Sequence, residues 1–231
     1  MEFSIPFIRK LADDDDPNSF ANKLRSRRFG VFEFLIARMP RPVRILDVGG
    51  TTEFWERRGW AGSDDYRITT LNLFAEDRRH ENIRAVTGDA TNMKEFGEGS
   101  FDVVFSNSVI EHLFTFDNQR RMAEEVRRVG KAYWVQTPNF WFPMEPHFHV
   151  PGWQWMPVAS RVEIIRRWRC GWRGPCGDPL IARRLVEEVR LMTRTELASI
   201  FPGARVVPER FCGLVKSWTA IDGFERQRVQ P

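Results

Sequence analysis

The residues of this chain that could do chemistry are acids and histidines placed directly after apolar runs. Asp47 closes one such run and precedes two glycines, and Asp89 follows another. Glu111 and His112 stand just after a third, beyond the polar stretch Ser106–Ser108. A carboxylate can hold a ligand's ammonium or hydroxyl groups, and an imidazole near neutral pKa can remove a proton. These types indicate a ligand site with proton-transfer chemistry.

A second group of such residues lies in the segment Thr137–His149, which follows a further apolar run. It contains Glu145, His147 and His149. The spacing of the two histidines is compatible with a metal, but no further His or Cys is adjacent. Structural hydrogen bonding, a substrate or general-base role, and metal binding therefore remain alternatives for this group. The chain's three cysteines form no C-x-x-C pair. We therefore predict neither a disulfide framework nor a structural zinc site, and no metal is assigned to the chain.

The elements that must position these groups follow from the alternation of short apolar runs with helical patterns. This alternation is typical of an α/β fold with a parallel sheet. Gly213, between the last two runs, indicates a hairpin and so an antiparallel end to the sheet. Helices are predicted over Asn18–Met39, from Glu53, over Asn118–Val129, and from a capping box at Thr193. The predicted strands are Val43–Val48, Tyr66–Leu71, Ile83–Thr87, Phe101–Phe105, Ala132–Gln136, Arg205–Glu209 and Val215–Ile221.

Composition and rhythm predict the domain organisation. A chain of 231 residues with 42% hydrophobic and 29% charged residues is of ordinary globular composition. We expect a tail over residues 1–16 and a single domain over residues 17–231. Residues 140–192 interrupt the strand–helix rhythm and hold five of the nine tryptophans. This segment is predicted to be a helical or irregular cap inserted over the edge of the sheet.

The strongest local signal is the run Val43–Thr52, in which an apolar strand enters a glycine-rich turn before a short helix. Glycines let the backbone approach a ligand closely, and ligands of open α/β sheets bind at the carboxyl ends of the strands. The run is neither G-x-G-x-x-G nor a Walker loop, which disfavours the dinucleotide and nucleotide-phosphate interpretations. A tight turn without a ligand remains an alternative.

Four stretches, in order, resemble the class I S-adenosylmethionine-dependent methyltransferases, and in particular the broad group related to ubiquinone-biosynthesis methyltransferases. I-L-D-V-G-G at 45–50 is similar to the first motif of that family, and I-T-T-L-N-L at 68–73 to the second. T-G-D-A at 87–90 is similar to the third. F-D-V-V-F-S-N-S-V-I-E-H-L at 101–113 is similar to the fourth. The resemblance covers roughly Val43–Gln136 and implies a Rossmann-like, seven-stranded, mostly parallel sheet within a three-layer αβα sandwich, with an antiparallel last strand.

The resemblance also implies S-adenosylmethionine as cofactor and S-adenosylhomocysteine as product. Several residues would then contact the methionine end of the cofactor, namely Asp47, Gly49, Gly50 and Thr51. Asn72, with Leu73, would lie at the ribose hydroxyls, and Asp89 and Ala90 at the adenine edge. Asn107 and Ser108 would lie beside the amino-acid end and the transferable methyl group.

Two departures from the family pattern weaken the implied cofactor site. Thr52 replaces a frequent glycine, and Asn72 replaces the usual Asp or Glu. An amide still forms hydrogen bonds to hydroxyls, but without the charge-assisted strength of a carboxylate. We therefore expect weaker cofactor binding. The departures also leave a non-catalytic binding protein of the same fold as an alternative.

The predicted function is methyl transfer to a small-molecule acceptor, more at oxygen than at nitrogen. His147 or His112 would serve as general base, with Glu145 as a further catalytic candidate. An RNA methyltransferase is the alternative within enzymes, because arginines and tryptophans interleave between Arg161 and Arg173. The net charge of +4 permits an anionic partner without demanding one. The N-terminus lacks the pattern of a signal peptide, so we expect a cytoplasmic protein, with a homodimer as an open alternative.

Overall fold

The structure is a computed structural model that describes residues 20–74, 77, 79–171 and 173–224. The predicted tail over residues 1–16 and the side chain of Trp172 lie outside the described residues. The seven strands are β1 Val43–Val48, β2 Tyr66–Asn72, β3 Ile83–Thr87, β4 Phe101–Asn107, β5 Gly130–Pro138, β6 Arg205–Phe211 and β7 Leu214–Asp222. The described helices are α1 Phe20–Ile36, α2 Thr52–Arg57, α3 Phe116–Val129, α4 Val158–Arg167, α5 Pro179–Glu187 and α6 Arg194–Ile200, with two 3₁₀ turns, Ile110–His112 and Trp153–Trp155.

The strands form one sheet in the order β3-β2-β1-β4-β5-β7-β6. Strands β1 to β5 pair in parallel, whereas β7 is antiparallel to both β5 and β6. The predicted mostly parallel, seven-stranded sheet with its antiparallel end is confirmed. All seven predicted strands are present, and β5 is longer than predicted at both ends because backbone pairing continues past the apolar run.

Helices cover both faces of the sheet because its central strands are apolar on both sides. Ile45 and Val103 point into a cluster with α1 and with Trp55 of α2. Their neighbours Leu46 and Val104 point into a second cluster, which contains buried residues of α3 and α6. Adjacent residues of a strand face opposite sides of the sheet, so each central strand contributes side chains to the apolar clusters on both faces. The result is the predicted three-layer αβα arrangement.

Local signals fix the ends of several elements. The turn between β6 and β7 is Cys212-Gly213, with φ of 48° and 80°. Positive φ at both central residues is the geometry of a tight hairpin, as the glycine predicted. The capping box at Thr193 and Glu196 has both of its hydrogen bonds. Helix α3 begins at Phe116, two residues before the predicted start, because the Thr115 side chain accepts from the Asn118 amide and caps it there.

The interrupted segment folds around a small apolar cluster of its own. Phe148 and Trp153 stack there with ring centroids 4.4 Å apart. Ile165 of α4 and Ala182 and Val186 of α5 are also fully buried in this cluster. The helical content matches the expected cap, while the domain boundaries stay a prediction. In the part of the chain that the structure describes, every helix is too short or too polar to cross a membrane.

Candidate active site

The predicted site residues lie at the carboxyl ends of five consecutive strands, β3, β2, β1, β4 and β5. Backbone hydrogen bonds continue beyond the strands along this edge. The Gly88 amide donates to Asn72 O (2.9 Å), the Gly49 amide to Leu71 O (2.7 Å), and the Ser108 amide to Gln136 O (3.0 Å). The turns after these strands therefore form one continuous edge, where ligands of parallel sheets bind.

The turn after β1 depends on its two glycines. Gly49 has a φ of 78°, and a Cβ there would lie 2.6 Å from the methyl groups of Val109. A Cβ at Gly50 would lie 1.7 Å from Asp47 Oδ2. The same oxygen accepts a hydrogen bond of 2.8 Å from the Trp55 indole. The buried Asp47 carboxylate thus joins the end of β1, the turn and α2.

The residues after the glycines begin α2. Thr51 is exposed and takes the N-cap position, although its side chain makes no capping hydrogen bond. Thr52 is buried at the first helical position. Thr52, which stands where the family often has a glycine, is therefore a packed side chain of the helix. Thr51, which was predicted to face the cofactor, is exposed.

Polar side chains end β2 and follow β3. Asn72 closes β2, and its Oδ1 accepts from the Leu73 amide at 2.9 Å. Asp89 is exposed, and its Oδ1 accepts from both the amide and the hydroxyl of Thr91. Leu73 is 69% exposed, whereas Ala90 packs against the core. An exposed carboxylate and an amide on neighbouring strands provide the donors and acceptors that a ribose and an adenine require.

Asn107 and Ser108 end the strand next to β1. Ser108 has a φ of 57°, and its hydroxyl donates to Gln136 Oε1 at 2.8 Å. Asn107 lines a small cleft with Phe54 and Trp134 on the α1 side of the sheet. A non-glycine residue at positive φ is uncommon and often marks a functional turn. The predicted cofactor roles of both residues stay predictions.

The proton-transfer candidates come together beyond β4 and β5. The rings of His112 and His147 pack edge to face with centroids 4.7 Å apart. His147 Nδ1 lies 2.6 Å from Glu145 Oε1, and because an ionised carboxylate can only accept, this ring nitrogen carries the proton. Glu145 Oε2 accepts from the amides of His147 and Phe148, both at 2.7 Å. The buried Glu145 therefore fixes the orientation and tautomer of His147.

Glu111 is a functional candidate to which the sequence analysis assigned no role. It is fully buried, and its Oε2 accepts from the Thr137 hydroxyl at 3.0 Å. Its other oxygen, Oε1, has no hydrogen-bond partner among the described residues. The only sequence signal was its place beside His112, directly after the polar end of a buried strand. His149 is also buried, and its amide donates to Glu145 O at 3.0 Å, whereas the ligand atoms that lie close together belong to Glu111, His112 and His147.

The environment separates the pKa values of these groups. Burial raises the pKa of Glu111 to about 7, opposed mainly by the charge of His147. Burial and the charge of His147 lower the pKa of His112 to about 4. For His147, burial acts to lower the pKa, but the hydrogen bond that its ring donates to Glu145 and the charges of Glu145 and Glu111 raise it overall. His147 is thus the stronger base of the two imidazoles.

Three of these side chains also have the spacing of a metal site. Glu111, His112 and His147 each offer a ligand atom, and those atoms lie within 4.8 Å of one another. Glu145 on Nδ1 of His147 would then orient a ligand from outside, as carboxylates commonly do. Glu188 Oε1 lies 3.8 Å from His112 Nδ1 in a comparable position. The sequence-based expectation of no metal site stays a prediction.

The arginine-rich part of the cap carries its own counter-charges. Arg166 and Arg167 both contact Glu163 one helical turn away. Arg173 forms two hydrogen bonds to Glu188, of 2.9 and 3.0 Å. Exposed ion pairs of this kind reduce the positive field of a helix face.

Comparison with known proteins relates part of this chain to methyltransferases. Residues 48–132 match a family model described as a methyltransferase domain. Two curated sequences of an uncharacterized Mycobacterium tuberculosis protein are 38% identical over 65 residues, which are 28% of this chain. That alignment spans 22% of those relatives, so most of their length has no counterpart in it.

Solved structures show the same fold at low sequence identity. The CurJ carbon methyltransferase has a TM-score of 0.57 at 11% identity, covering 93% of this chain and 56% of that one. A "possible exported protein" from Bordetella parapertussis has a TM-score of 0.54 at 12% identity, covering 95% and 79%. The two solved structures show the fold, and the match over residues 48–132 shows that this stretch of the chain is similar to a methyltransferase domain.

Proposed function

We propose that this protein transfers the methyl group of S-adenosylmethionine to a hydroxyl oxygen of a small-molecule acceptor. The observation that carries the proposal is the buried Glu145–His147 pair next to Glu111, at the carboxyl ends of β4 and β5. An amine acceptor needs only to lose its proton before the reaction, whereas a hydroxyl benefits from a base during it. An imidazole held by a carboxylate at this edge of the sheet therefore favours methyl transfer to oxygen over transfer to nitrogen.

In the proposed reaction, S-adenosylmethionine supplies a methyl group that is activated by its bond to a sulfonium sulfur. The leaving group is the neutral thioether S-adenosylhomocysteine. His147 accepts the acceptor's hydroxyl proton on Nε2, since Nδ1 donates to Glu145. The oxygen lone pair forms the new carbon–oxygen bond, and the electron pair of the carbon–sulfur bond remains on sulfur. Glu145 holds the ring in place and stabilises the imidazolium that results. His112, with its pKa lowered to about 4, is the weaker candidate base.

Residues of four strand ends would hold the cofactor. Asp47, Gly49, Gly50 and Thr51 would surround its methionine part, and Asn72 and Leu73 its ribose. Asp89 and Ala90 would contact the adenine, and Asn107 and Ser108 the region of the methyl group. The fit is supported by a glycine turn that admits no Cβ at Gly50 and by the polar side chains that end the neighbouring strands. This arrangement mainly aligns reactants, which is the larger part of methyl-transfer catalysis.

Cofactor binding tests the first half of the proposal. We expect calorimetric titration with S-adenosylmethionine and with S-adenosylhomocysteine to give micromolar dissociation constants. Asp47→Ala should abolish this binding, because the carboxylate holds the turn to α2. Asp64→Ala is the matched control, since Asp64 is fully exposed and precedes β2 at the opposite edge of the sheet. Absence of binding in the folded wild-type chain would favour the non-catalytic alternative.

Turnover tests the second half. With a hydroxyl acceptor found by screening for radiolabelled methyl transfer, His147→Ala should lower kcat about 100-fold, as loss of a general base does. The affinity for S-adenosylhomocysteine should stay unchanged. His112→Ala should have a smaller effect, because His112 is the weaker base. If both variants stay within about threefold of wild type, positioning alone carries the rate and the base assignment is wrong.

A further inference from the structure

A cavity of about 380 Å³ lies within the cap, next to Glu145 of the proposed catalytic pair. Its apolar wall includes Phe140, Phe148 and Leu191, and its polar wall includes Glu145, Trp153 and Arg161. Glu145 belongs both to this wall and to the pair with His147. The volume falls within the range of small-molecule sites, which are mostly apolar with a few placed polar groups.

Most charges around the cavity are already neutralised. Arg190 pairs with Glu196 and also donates to Gln119. Glu196 further accepts from the amide and hydroxyl of Thr193. The two oxygens of Glu145 are used by His147 and the Phe148 amide. The four polar side chains of the cavity wall discussed so far, Glu145, Arg190, Thr193 and Glu196, therefore have little hydrogen-bonding capacity left for a ligand.

Arg161 is the exception. Its guanidinium pairs with no carboxylate in the described ranges, and its Nε is buried without a hydrogen bond. Glu145 and Glu187 act on it only as charges at longer range, and burial lowers its pKa. A half-buried cation without a partner is unfavourable unless another group neutralises its charge and accepts its hydrogen bonds.

Two further polar atoms in the same wall lack partners. The Trp153 indole N–H is buried with no acceptor, in a side chain that is 1% exposed. Gln154 Nε2 donates to the carbonyls of Phe140 and Phe142, but its Oε1 accepts nothing. Each unsatisfied polar group destabilises the folded chain unless a partner completes it. Three such groups around one cavity, a cation, a donor and an acceptor, are expected of a wall organised for a ligand rather than for stability.

We propose that this cavity binds the non-reacting part of the acceptor, and that this part is a hydroxylated group bearing an oxyanion. Arg161 would pair with the oxyanion, the Trp153 indole would donate to one of its oxygens, and Gln154 Oε1 would accept from a hydroxyl. A sugar acid and a sugar phosphate share this chemistry. The proposal rests on the proposed function, because Glu145 links the cavity to His147.

Three hexoses that differ at one carbon serve as probes: D-glucuronate, D-glucose 6-phosphate and D-glucose. In calorimetric titrations of the full chain with saturating S-adenosylhomocysteine, at least one of the two anions should bind ten or more times tighter than glucose. The stronger anion identifies the source of the charge. Arg161→Gln should reduce its affinity to that of glucose, while Arg161→Lys should retain part of the preference because it keeps the charge.

The matched control is Arg167→Gln, because Arg167 lies on the same helix with an exposed side chain that pairs with Glu163. It should bind the anionic hexose as wild type does. The proposal is overturned if all three hexoses bind alike, if none binds up to about 10 mM, or if Arg161→Gln changes nothing. Binding of S-adenosylhomocysteine to the same sample separates the two proposals. Binding of S-adenosylhomocysteine without hexose binding removes only this proposal. Hexose binding without binding of S-adenosylhomocysteine removes the methyltransferase function and leaves the cavity as an anionic-hexose site that is not an acceptor site.

Discussion

At the scale of single residues, the Glu111 side chain is the least favourable feature of the site. A carboxyl buried with only one hydrogen-bonded oxygen is more stable protonated, which is why its pKa rises to about 7. His147 lies close by, and its positive charge opposes this shift. Groups with perturbed pKa values gather at functional sites, which makes this pair a candidate for a role in the proposed chemistry.

The raised pKa of Glu111 makes the stability of the protein depend on pH. Between the ordinary value of 4.5 and about 7, the unfolded chain has lost this proton and the folded chain keeps it. Taken alone, this proton makes the free energy of unfolding fall as pH rises through this window, by up to about 3 kcal/mol. The raised pKa of His147 acts in the same direction, because its contribution is lost as pH rises above 6.5. Below pH 6.5 the lowered pKa of His112 acts in the opposite direction, so the net fall is expected above pH 6.5. Urea denaturation at pH 5, 6, 7 and 8, in EDTA, measures the slope.

Glu111→Gln should flatten this slope, since glutamine keeps the shape of the side chain without the ionisation. Glu124→Gln is the matched control, because Glu124 is an exposed acid on α3 that pairs with Arg120. It should keep the wild-type pH dependence. An equal slope in wild type and in Glu111→Gln would mean that Glu111 is not protonated in the folded protein near neutral pH.

At the scale of elements, the turn from β1 to α2 is the most constrained connection of the site. Gly50→Ala would place a methyl group on the Asp47 carboxylate and break its 2.8 Å hydrogen bond to Trp55. We expect the free energy of unfolding to fall by about 1–3 kcal/mol. Affinity for S-adenosylhomocysteine should fall at least tenfold, because the displaced carboxylate and the turn would together form the methionine site. Urea denaturation and calorimetry measure the two effects.

Gly97→Ala controls for the general effect of replacing a glycine. A Cβ at Gly97 meets no atom within 4 Å, and the residue lies after β3 in an exposed turn. The stability of the Gly97→Ala variant and its affinity for S-adenosylhomocysteine should remain close to wild type. A Gly50→Ala variant that binds as tightly as Gly97→Ala would show that the position of the Asp47 carboxylate does not matter for the cofactor.

The sequence predicted the elements well where one local signal decides, and less well where distant segments meet. The apolar runs gave all seven strands, and Gly213 gave the hairpin. The group of His112 and His147 joins residues that are far apart in sequence, and only the pairing of β4 with β5 brings them together. Glu111 was given no role because its full burial depends on tertiary packing. The unpartnered Arg161 was indistinguishable from its paired neighbours in the same basic run.

At the scale of the whole molecule, the distribution of charge favours a small acceptor over a nucleic acid. The net charge of +4 is spread over 35 basic and 31 acidic residues. The basic segment of the cap is the best candidate for an RNA footprint, yet Arg166 and Arg167 share Glu163 and Arg173 is bound to Glu188. Binding to phosphates requires cations that can exchange counterions for the nucleic acid, and arginines held by carboxylates do so poorly.

The replacement of Arg166, Arg167 and Arg169 by glutamate therefore decides between the two classes of acceptor. We expect wild type to bind a labelled single-stranded RNA weakly, and the triple variant to change its dissociation constant less than about threefold at physiological salt. Fluorescence anisotropy over a series of salt concentrations measures both the affinity and its salt dependence. A loss of affinity above tenfold, together with a steep salt dependence in the wild type, would assign the cap to RNA. Hexose binding that persists in the triple variant would show that the cavity within the cap binds its ligand independently of the basic surface of the cap.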